Sequence, residues 1–235
     1  LEIIGHKGPS IGGLMVLKYL NALSTNNKNI EKILLNVYLE RKNNFEIFEN
    51  RANLIKSEID KLSSSPSTIQ VSTSDSENNH YSITFSSGYG SGVVCKRTGM
   101  FLNNSLGEIE LNPQGFLGNT HGERLISNMS PLLVFDNSNY YVIGSPGADR
   151  ISTAIAQVVN NYSINSDWNE SIQKPRFHVN GDGSIRGEPN SINKGDNVTI
   201  TDPHDMYFGG VCVTGLNKEV IAYGDKRRGN ISWKN

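Results

Sequence analysis

The chain has 235 residues and a formal net charge of −1, a length sufficient for one sizeable core or two small domains. A near-neutral charge gives no electrostatic basis for binding nucleic acid or an anionic membrane surface. No stretch approaches the ~20 apolar residues that a membrane helix needs. The main basic run, residues 226–228, is predicted to be a solvated turn.

The first residues carry neither an initiator methionine nor the charged start of a signal peptide. The chain is therefore interpreted as a fragment that begins inside a larger protein, with a cytoplasmic location as the default. Cys95 and Cys212 each lie in a strand-like apolar run without CxxC spacing, which predicts buried free thiols or one disulfide. The histidines lack metal-ligand spacing, so no metal or organic cofactor is expected.

The first sixty residues have the apolar spacing of helices. A glycine-rich turn at residues 8–13 precedes the first helix, whose stripe includes Leu14, Leu17 and Leu20. Two more amphipathic helices are predicted over residues 29–41 and 45–61. Stripes of this kind form core contacts, and no chemistry is assigned to them.

A β-hairpin is predicted next. A small-residue loop at 63–67 leads into two strand-like runs, 67–72 and 81–85, separated by a polar turn. Thr68 stands at its start, and a threonine hydroxyl becomes a useful nucleophile when the free amine of the same, N-terminal residue acts as its base. That chemistry needs scission before Thr68, which an exposed loop of small residues accommodates. On local sequence alone, an ordinary strand residue is the simpler interpretation.

Further strands are predicted downstream, at residues 93–96, 100–103, 132–135, 140–143, 206–211 and 219–222. A helix should begin near Ile151, after the glycine turn at residues 144–149. A strand, a glycine turn and a helix N-terminus direct unpaired backbone N–H groups into a cleft. Such donors suit the oxyanion of a tetrahedral acyl intermediate, although without Thr68 an ordinary βα turn would be the preferred interpretation.

Several of these motifs occur together and in order. They are TIQVSTSD at 68–75, GSG at 90–92, GMFLNN at 99–104, SNMSP at 127–131 and GSPGADR at 144–150. Together they resemble the small-subunit half of the gamma-glutamyltranspeptidase family, N-terminal-nucleophile hydrolases that cut themselves before a threonine. Residues 8–13 resemble a segment near the end of the family's large subunit, and residues 174–179 and 224–228 resemble two later motifs.

The resemblance implies an α+β fold, a four-layer αββα sandwich with two antiparallel inner sheets and Thr68 at the start of a central strand. Residues 1–67 would be the helical end of the large-subunit part with its linker. Residues 68–235 would be the small-subunit part that carries the nucleophile. Together they would form part of one αββα domain.

The resemblance also assigns catalytic roles. Thr68 would attack the Ser67–Thr68 peptide bond, become a new N-terminus and then act as the nucleophile. Ser86 stands where the family has a residue that orients the free amine. Gly147 and Ala148 occupy the positions of two adjacent glycines whose backbone N–H groups bind the oxyanion.

Four further residues fall on the family's substrate-binding positions. Ser105 stands where the family has Gln or Glu, and Glu108 stands where it has Asp, both for the substrate amino group. Ser127 and Asn128 occupy positions that bind the substrate carboxylate, to which both can donate. His178 is interpreted as structural because an N-terminal threonine needs no histidine base.

The implied function is an autoprocessing hydrolase or acyltransferase that cleaves a gamma-glutamyl or related amide through an acyl-enzyme, without a cofactor. Its partners would be that small amide substrate, the missing large-subunit portion and, as an open option, further copies of itself, but not nucleic acid. Ile69 and Gln70 depart from the family's Thr-His pair. Two alternatives therefore stay open, an unprocessed and inactive homologue that acts as a binding protein, and an amidohydrolase for a non-glutamyl acyl group.

Overall fold

The computed structural model describes residues 2–5, 12–25, 30–45, 68–108, 112, 122, 124–137, 139–229 and 232–234. Their mixture of helices and sheets confirms the predicted α+β class. The helix predicted over residues 45–61 lies outside the described residues, except for Phe45. Within the described part of the chain, no helix is long and apolar enough to cross a membrane.

The helices are α1 (Gly12–Thr25), α2 (Ile30–Phe45), α3 (Arg150–Asn165) and α4 (Trp168–Gln173). The strands are β1 (Glu2–Gly5), β2 (Thr68–Ser74), β3 (His80–Ser86), β4 (Leu132–Asp136), β5 (Asn139–Gly144), β6 (Phe177–Val179), β7 (Ile185–Gly187), β8 (Val198–Ile200), β9 (Cys212–Asn217), β10 (Glu219–Tyr223) and β11 (Trp233–Lys234). Within the described ranges, short 3-10 helices span Ser105–Gly107, Met206–Phe208 and Lys226–Arg228.

The main sheet has six antiparallel strands in the order β1-β4-β5-β9-β10-β11. In its centre Leu132 pairs with Ile143, and Gly144 pairs with Cys212. The residues before β4, after β5 and before β9 therefore meet at one edge of this sheet. The strands β6, β7 and β8 form a separate small sheet.

The apolar core lies between the main sheet and the helices. Because side chains alternate across a strand, Tyr141, Ile143 and Val213 all point to this side and pack in one buried cluster with α3. Helix α3 contributes Ile155 and Val158 to that cluster. A second cluster joins α1 and α2 to α3 and β6.

The hairpin β2–β3 packs on the opposite face of the main sheet, against β5 and β9. Its strands pair from Thr68 with Ser86 to Ser74 with His80. Side chains at Thr68, Gln70 and the following even positions face inward, whereas the odd positions of both strands are exposed. The described residues thus form three layers, in the order helices, main sheet and hairpin.

Two predicted strand regions differ in the structure. Residues 206–211 do not form a strand, because Asp205 accepts a hydrogen bond from Tyr207 N and begins the 3-10 helix Met206–Phe208. Strand β9 begins only at Cys212. The runs 93–96 and 100–103 share a single isolated bridge, between Val94 and Phe101.

The basic run at the end of the chain was also predicted wrongly in part. Arg227 is only 4% exposed, since its guanidinium forms ion pairs with Glu188 and Asp225. Arg176, also buried, pairs with the other oxygen of Asp225 at 2.7 Å. We call Arg176, Glu188, Asp225 and Arg227 the ionic core.

Removing one charge from the ionic core should destabilise the fold. In the full-length protein, Glu188→Gln should lower the free energy of unfolding by about 3–5 kcal/mol, because it leaves Arg227 buried with half of its counter-charge. The matched control is Glu170→Gln, which removes an exposed pair with Lys174 and should cost at most about 1 kcal/mol. Urea denaturation measures both, and equal losses would contradict a dominant role for the ionic core.

Candidate active site

Thr68 and Ser86 lie opposite one another at the open end of the hairpin. Thr68 Oγ1 donates a hydrogen bond to Ser86 Oγ over 3.1 Å. Ser86 Oγ also accepts from Gly88 N at 3.0 Å, which fixes the hydroxyl beside the threonine. The structure therefore brings the predicted nucleophile and its predicted partner into direct contact.

Glu108 lies against the loop that follows Ser86. A Cβ atom added to Gly88 would stand 2.7 Å from Glu108 Oε1, and Gly88 has a φ of 63° that favours glycine. Glu108 is 7% exposed and directly follows the 3-10 helix that begins at Ser105. Glu108, one of the two residues predicted for the substrate amino group, thus lies against Gly88, which follows Ser86 by two positions. Ser105, the other, lies in the 3-10 helix just before Glu108.

The glycine turn leaves β5 and enters α3. Gly147 and Ala148 have φ values of 134° and 52°, and Arg150 N donates to Gly147 O at 2.9 Å, which starts the helix. Among the described residues, neither the Gly147 nor the Ala148 N–H donates to a protein acceptor. Both amides therefore lack an acceptor among the described residues, beside a helix N-terminus of the kind that binds anions.

Gln70 locates the turn relative to Thr68. Its amide donates to the hydroxyls of Ser72 and Ser82 and accepts from Thr84. A Cβ atom on Gly144 would collide with this amide, so the inward face of β2 touches the last residue of β5. Thr68 precedes Gln70 by two residues and begins β2, so it lies at the same sheet edge as the glycine turn.

Ser127 and Asn128 lie just before β4. Because Leu132, the first residue of β4, pairs with Ile143 near the end of β5, they lie at the same sheet edge as the glycine turn. Asn128 is 2% exposed, and neither its Nδ2 nor its Oδ1 has a hydrogen-bond partner among the described residues. A buried amide without a partner is destabilising by about 1–3 kcal/mol. Asn128 is therefore a candidate contact for a polar ligand.

Sequence reasoning missed two residues of this edge. The resemblance gives Gln70 no role beyond a departure from the family pattern, although the inward alternation of positions 68, 70 and 72 identifies it as an inward-facing contact. Asp149 belongs to the glycine motif, and the sequence alone assigns it no role. Desolvation acts to raise the pKa of Asp149, but Arg150 and His178 outweigh it and hold that pKa well below its usual range.

A threonine that begins a strand of one sheet stacked on another, with a glycine turn and a helix N-terminus at the same edge, defines the class of N-terminal-nucleophile hydrolases. The comparisons with known proteins agree with this class. The sequence profile described as Gamma-glutamyltranspeptidase matches residues 18–229. The chain belongs to the gamma-glutamyltranspeptidase family.

Relatives of known sequence and structure support this assignment. A glutathione hydrolase proenzyme from Escherichia coli is 33% identical over 125 residues, which are 47% of this chain and 22% of that protein. The gamma-glutamyltranspeptidase from Pseudomonas nitroreducens complexed with L-DON is 25% identical, with a TM-score of 0.57 over 70% of this chain and 97% of the solved chain.

A third comparison concerns the fold alone. Cephalosporin acylase from Bacillus halodurans is 18% identical, with a TM-score of 0.66 over 100% of this chain and 53% of that one. The alignments with curated relatives such as the Escherichia coli protein span about a fifth of the relatives' length, 22% in that case.

A double-mutant cycle tests the contact between the two sheets. Gly144→Ala should lower the free energy of unfolding by about 1–3 kcal/mol, because the new methyl group enters the space of the Gln70 amide. In a Gln70→Ala background the loss should be smaller by at least about 0.5 kcal/mol. Chemical denaturation of the full-length protein measures all four variants.

Gly195→Ala is the matched control, since a Cβ atom there meets only Val198 at an ordinary 3.6 Å. It should change the stability little in either background. Strict additivity of Gly144→Ala and Gln70→Ala would show that the two residues do not meet.

Proposed function

We propose that this chain is part of an autoprocessing enzyme that cleaves a gamma-glutamyl or related amide through an acyl-enzyme on Thr68. The observation that carries the proposal is the position of Thr68. Thr68 is the first residue of β2, and its hydroxyl contacts Ser86. It lies at the same sheet edge as the glycine turn that contains the Gly147 and Ala148 amides.

Processing would come first. Thr68 Oγ1 attacks the carbonyl of residue 67, an ester forms as the peptide C–N bond breaks, and the nitrogen takes the hydroxyl proton. Water then hydrolyses the ester and leaves Thr68 with a free α-amino group. Two facts support this step. First, the curated relatives are proenzymes. Second, the solved Pseudomonas chain is matched over 97% of its own length and covers 70% of this chain, which is close to the fraction of this chain that residues 68–235 make up.

Turnover would reuse the same oxygen. The free amine accepts the proton of Oγ1 as the oxygen attacks the substrate amide, and Ser86 orients that amine. The oxyanion of the tetrahedral intermediate accepts from the N–H groups of Gly147 and Ala148, and loss of one such donor typically raises the barrier by about 2.7–4 kcal/mol. The leaving amine takes the proton, and water or a second amine then attacks the ester.

Substrate recognition would use two sets of contacts, one for the amino group of the substrate and one for its carboxylate. The Glu108 carboxylate suits an ammonium group, because charge-assisted hydrogen bonds are roughly twice as strong as neutral ones. The Asn128 amide, with Ser127, suits the substrate carboxylate. Ser105 is shorter than the Gln or Glu of the family pattern, so the amino group of the substrate would be held mainly by Glu108.

Replacing the nucleophile tests both steps. Thr68→Ala should abolish scission and turnover of a gamma-glutamyl anilide, whereas Thr68→Ser should retain measurable levels of both because the hydroxyl remains. Intact-mass measurement of the full-length protein reports scission, and release of the anilide reports turnover. Thr73→Ala, on the exposed side of the same strand, is the control and should behave as the wild type.

The outcomes also separate the alternatives. A wild-type protein that stays a single uncut chain supports the unprocessed binding protein and contradicts the proposal. Scission without turnover of gamma-glutamyl anilides, but with turnover of simple acyl amides, supports the amidohydrolase.

We also propose that the upstream part of the same protein covers the outer face of the hairpin. This face carries the exposed apolar side chains of Ile69, Val71, Tyr81, Ile83 and Phe85. Soluble monomers seldom leave so large a contiguous apolar patch in water. The Escherichia coli relative is matched over only 22% of its length, which supports a further part of the same protein as the occupant, and the resemblance of residues 68–235 to a small subunit favours the upstream part.

A charge on this face should prevent its burial. Ile83→Asp should separate the two pieces of the processed full-length protein or make the protein aggregate, because the carboxylate would be buried without a partner. Ile164→Asp on α3, where the isoleucine is also exposed, is the control and should leave the assembly intact. Size-exclusion chromatography with mass measurement decides, and unchanged assembly of Ile83→Asp would overturn the assignment, as would a mass that shows a second copy of the chain on this face.

A further inference from the structure

Ala148 holds an unusual backbone conformation in the glycine turn. Its φ of 52° lies in the left-handed region, which an L-residue other than glycine occupies about 5- to 30-fold less readily than the right-handed one. The family pattern has glycine at this position, so this chain carries a strain that a glycine would not have. Contacts around the turn must hold Ala148 in place if its N–H is to point in the same direction as that of Gly147.

One side of the turn is held by packing. A Cβ atom on Gly147 would stand 3.1 Å from Gly209 Cα. Ser145 Oγ accepts from Gly210 N at 3.1 Å and donates to Pro146 O at 2.7 Å. These contacts fix the residues that lead into the turn, and they do not reach beyond Ala148.

The other side of the turn ends at Asp149. This residue is the N-cap of α3, yet its side chain accepts no capping hydrogen bond. Instead Oδ1 lies 2.5 Å from Arg150 Nη1, and Oδ2 lies 3.7 Å from His178 Nε2. The carboxylate is therefore directed at two basic groups, one on α3 and one on β6.

Both basic groups are anchored in turn. Arg150 Nε donates to Tyr207 O at 3.2 Å, and its guanidinium stacks over the Tyr207 ring at 4.6 Å. His178 Nδ1 lies 2.9 Å from Thr153 Oγ1. The ring of His178 is buried, and its Nε2 has no hydrogen-bond partner among the described residues, so the Asp149 carboxylate is the charge that faces it.

We propose that Asp149 is a positioning residue for the oxyanion site. Its ionised carboxylate, held between Arg150 and His178, keeps Ala148 in the left-handed conformation and thereby aims the Ala148 N–H at the same point as the Gly147 N–H. Asp149 itself touches no reacting atom. The inference rests on the proposed acyl transfer and adds to it the residue that maintains the geometry of one donor.

The neutral variant Asp149→Asn keeps the size of the side chain and removes its charge. In the processed full-length protein, kcat for a gamma-glutamyl anilide should fall about 10- to 100-fold. Complete removal of an oxyanion donor typically lowers kcat ~10²–10³-fold, so a misaligned donor should cost no more than the lower end of that range. KM should stay within about threefold, because the donor acts on the transition state more than on the bound amide. Asp136→Asn, which alters a carboxylate on β4 that accepts from Tyr162, is the control and should leave kcat unchanged.

The strain gives a second, sharper readout. If Asp149 holds a strained alanine in place, the loss of kcat caused by Asp149→Asn should depend on residue 148. In an Ala148→Gly background the fold-loss should be at least about five times smaller than in the wild-type background, because glycine adopts a positive φ readily. A purely structural role for Asp149 predicts the same loss in both backgrounds, together with a lower Tm and less processed protein.

Each outcome decides the matter. A wild-type kcat in Asp149→Asn, or an equal loss in the two backgrounds, overturns the positioning role while the acyl transfer stands. A wild-type protein that neither cuts itself nor releases the anilide removes the proposed function, and the inference falls with it.

Discussion

The ionic core is the interaction on which the site's geometry depends. Asp225 accepts a hydrogen bond from Val211 N, and Glu188 accepts one from Asp205 N, so the two carboxylates hold both ends of the loop at residues 205–211. The two guanidiniums of the core neutralise these carboxylates and donate further hydrogen bonds to backbone carbonyls of α4 and its C-terminus. Charged groups suit this place because buried backbone N–H and C=O groups need partners, which apolar side chains could not provide.

The loop at residues 205–211 contacts the glycine turn of the proposed site. Gly209, with a φ of 80°, lies so close to the glycine turn that a Cβ atom on it would stand 2.7 Å from Pro146 O. The neighbouring Gly210 N–H donates to Ser145. The ionic core therefore supports the loop against which the glycine turn packs. Buried ion pairs often contribute little net stability, although removal of one partner is costly, and here the carboxylates also bind both ends of a loop.

Elements near the proposed chemistry could be predicted because their patterns are local. Strand-like runs bounded by turn residues identified the hairpin and β5, and apolar residues at helical spacing identified α3. The strand prediction for residues 206–211 is wrong because their apolar composition suits a strand, while a single capping contact from Asp205 favours a 3-10 helix. The burial of Arg227 could not be predicted either, since a basic run does not reveal that Glu188, 39 positions earlier, will meet it in the fold.

Ile69 and Gln70, which depart from the family's Thr-His pair, lie on opposite faces of β2. Ile69 points outward, onto the exposed apolar face of the hairpin, where the proposed covering partner would contact it. Gln70 points inward, where one amide supplies both donors and an acceptor to three hydroxyls and fills the space that Gly144 leaves. Neither side chain takes the place of the Thr68–Ser86 contact. Ile69 and Gln70 therefore affect how β2 packs, and they provide no physical reason for the hydroxyl of Thr68 to be unreactive.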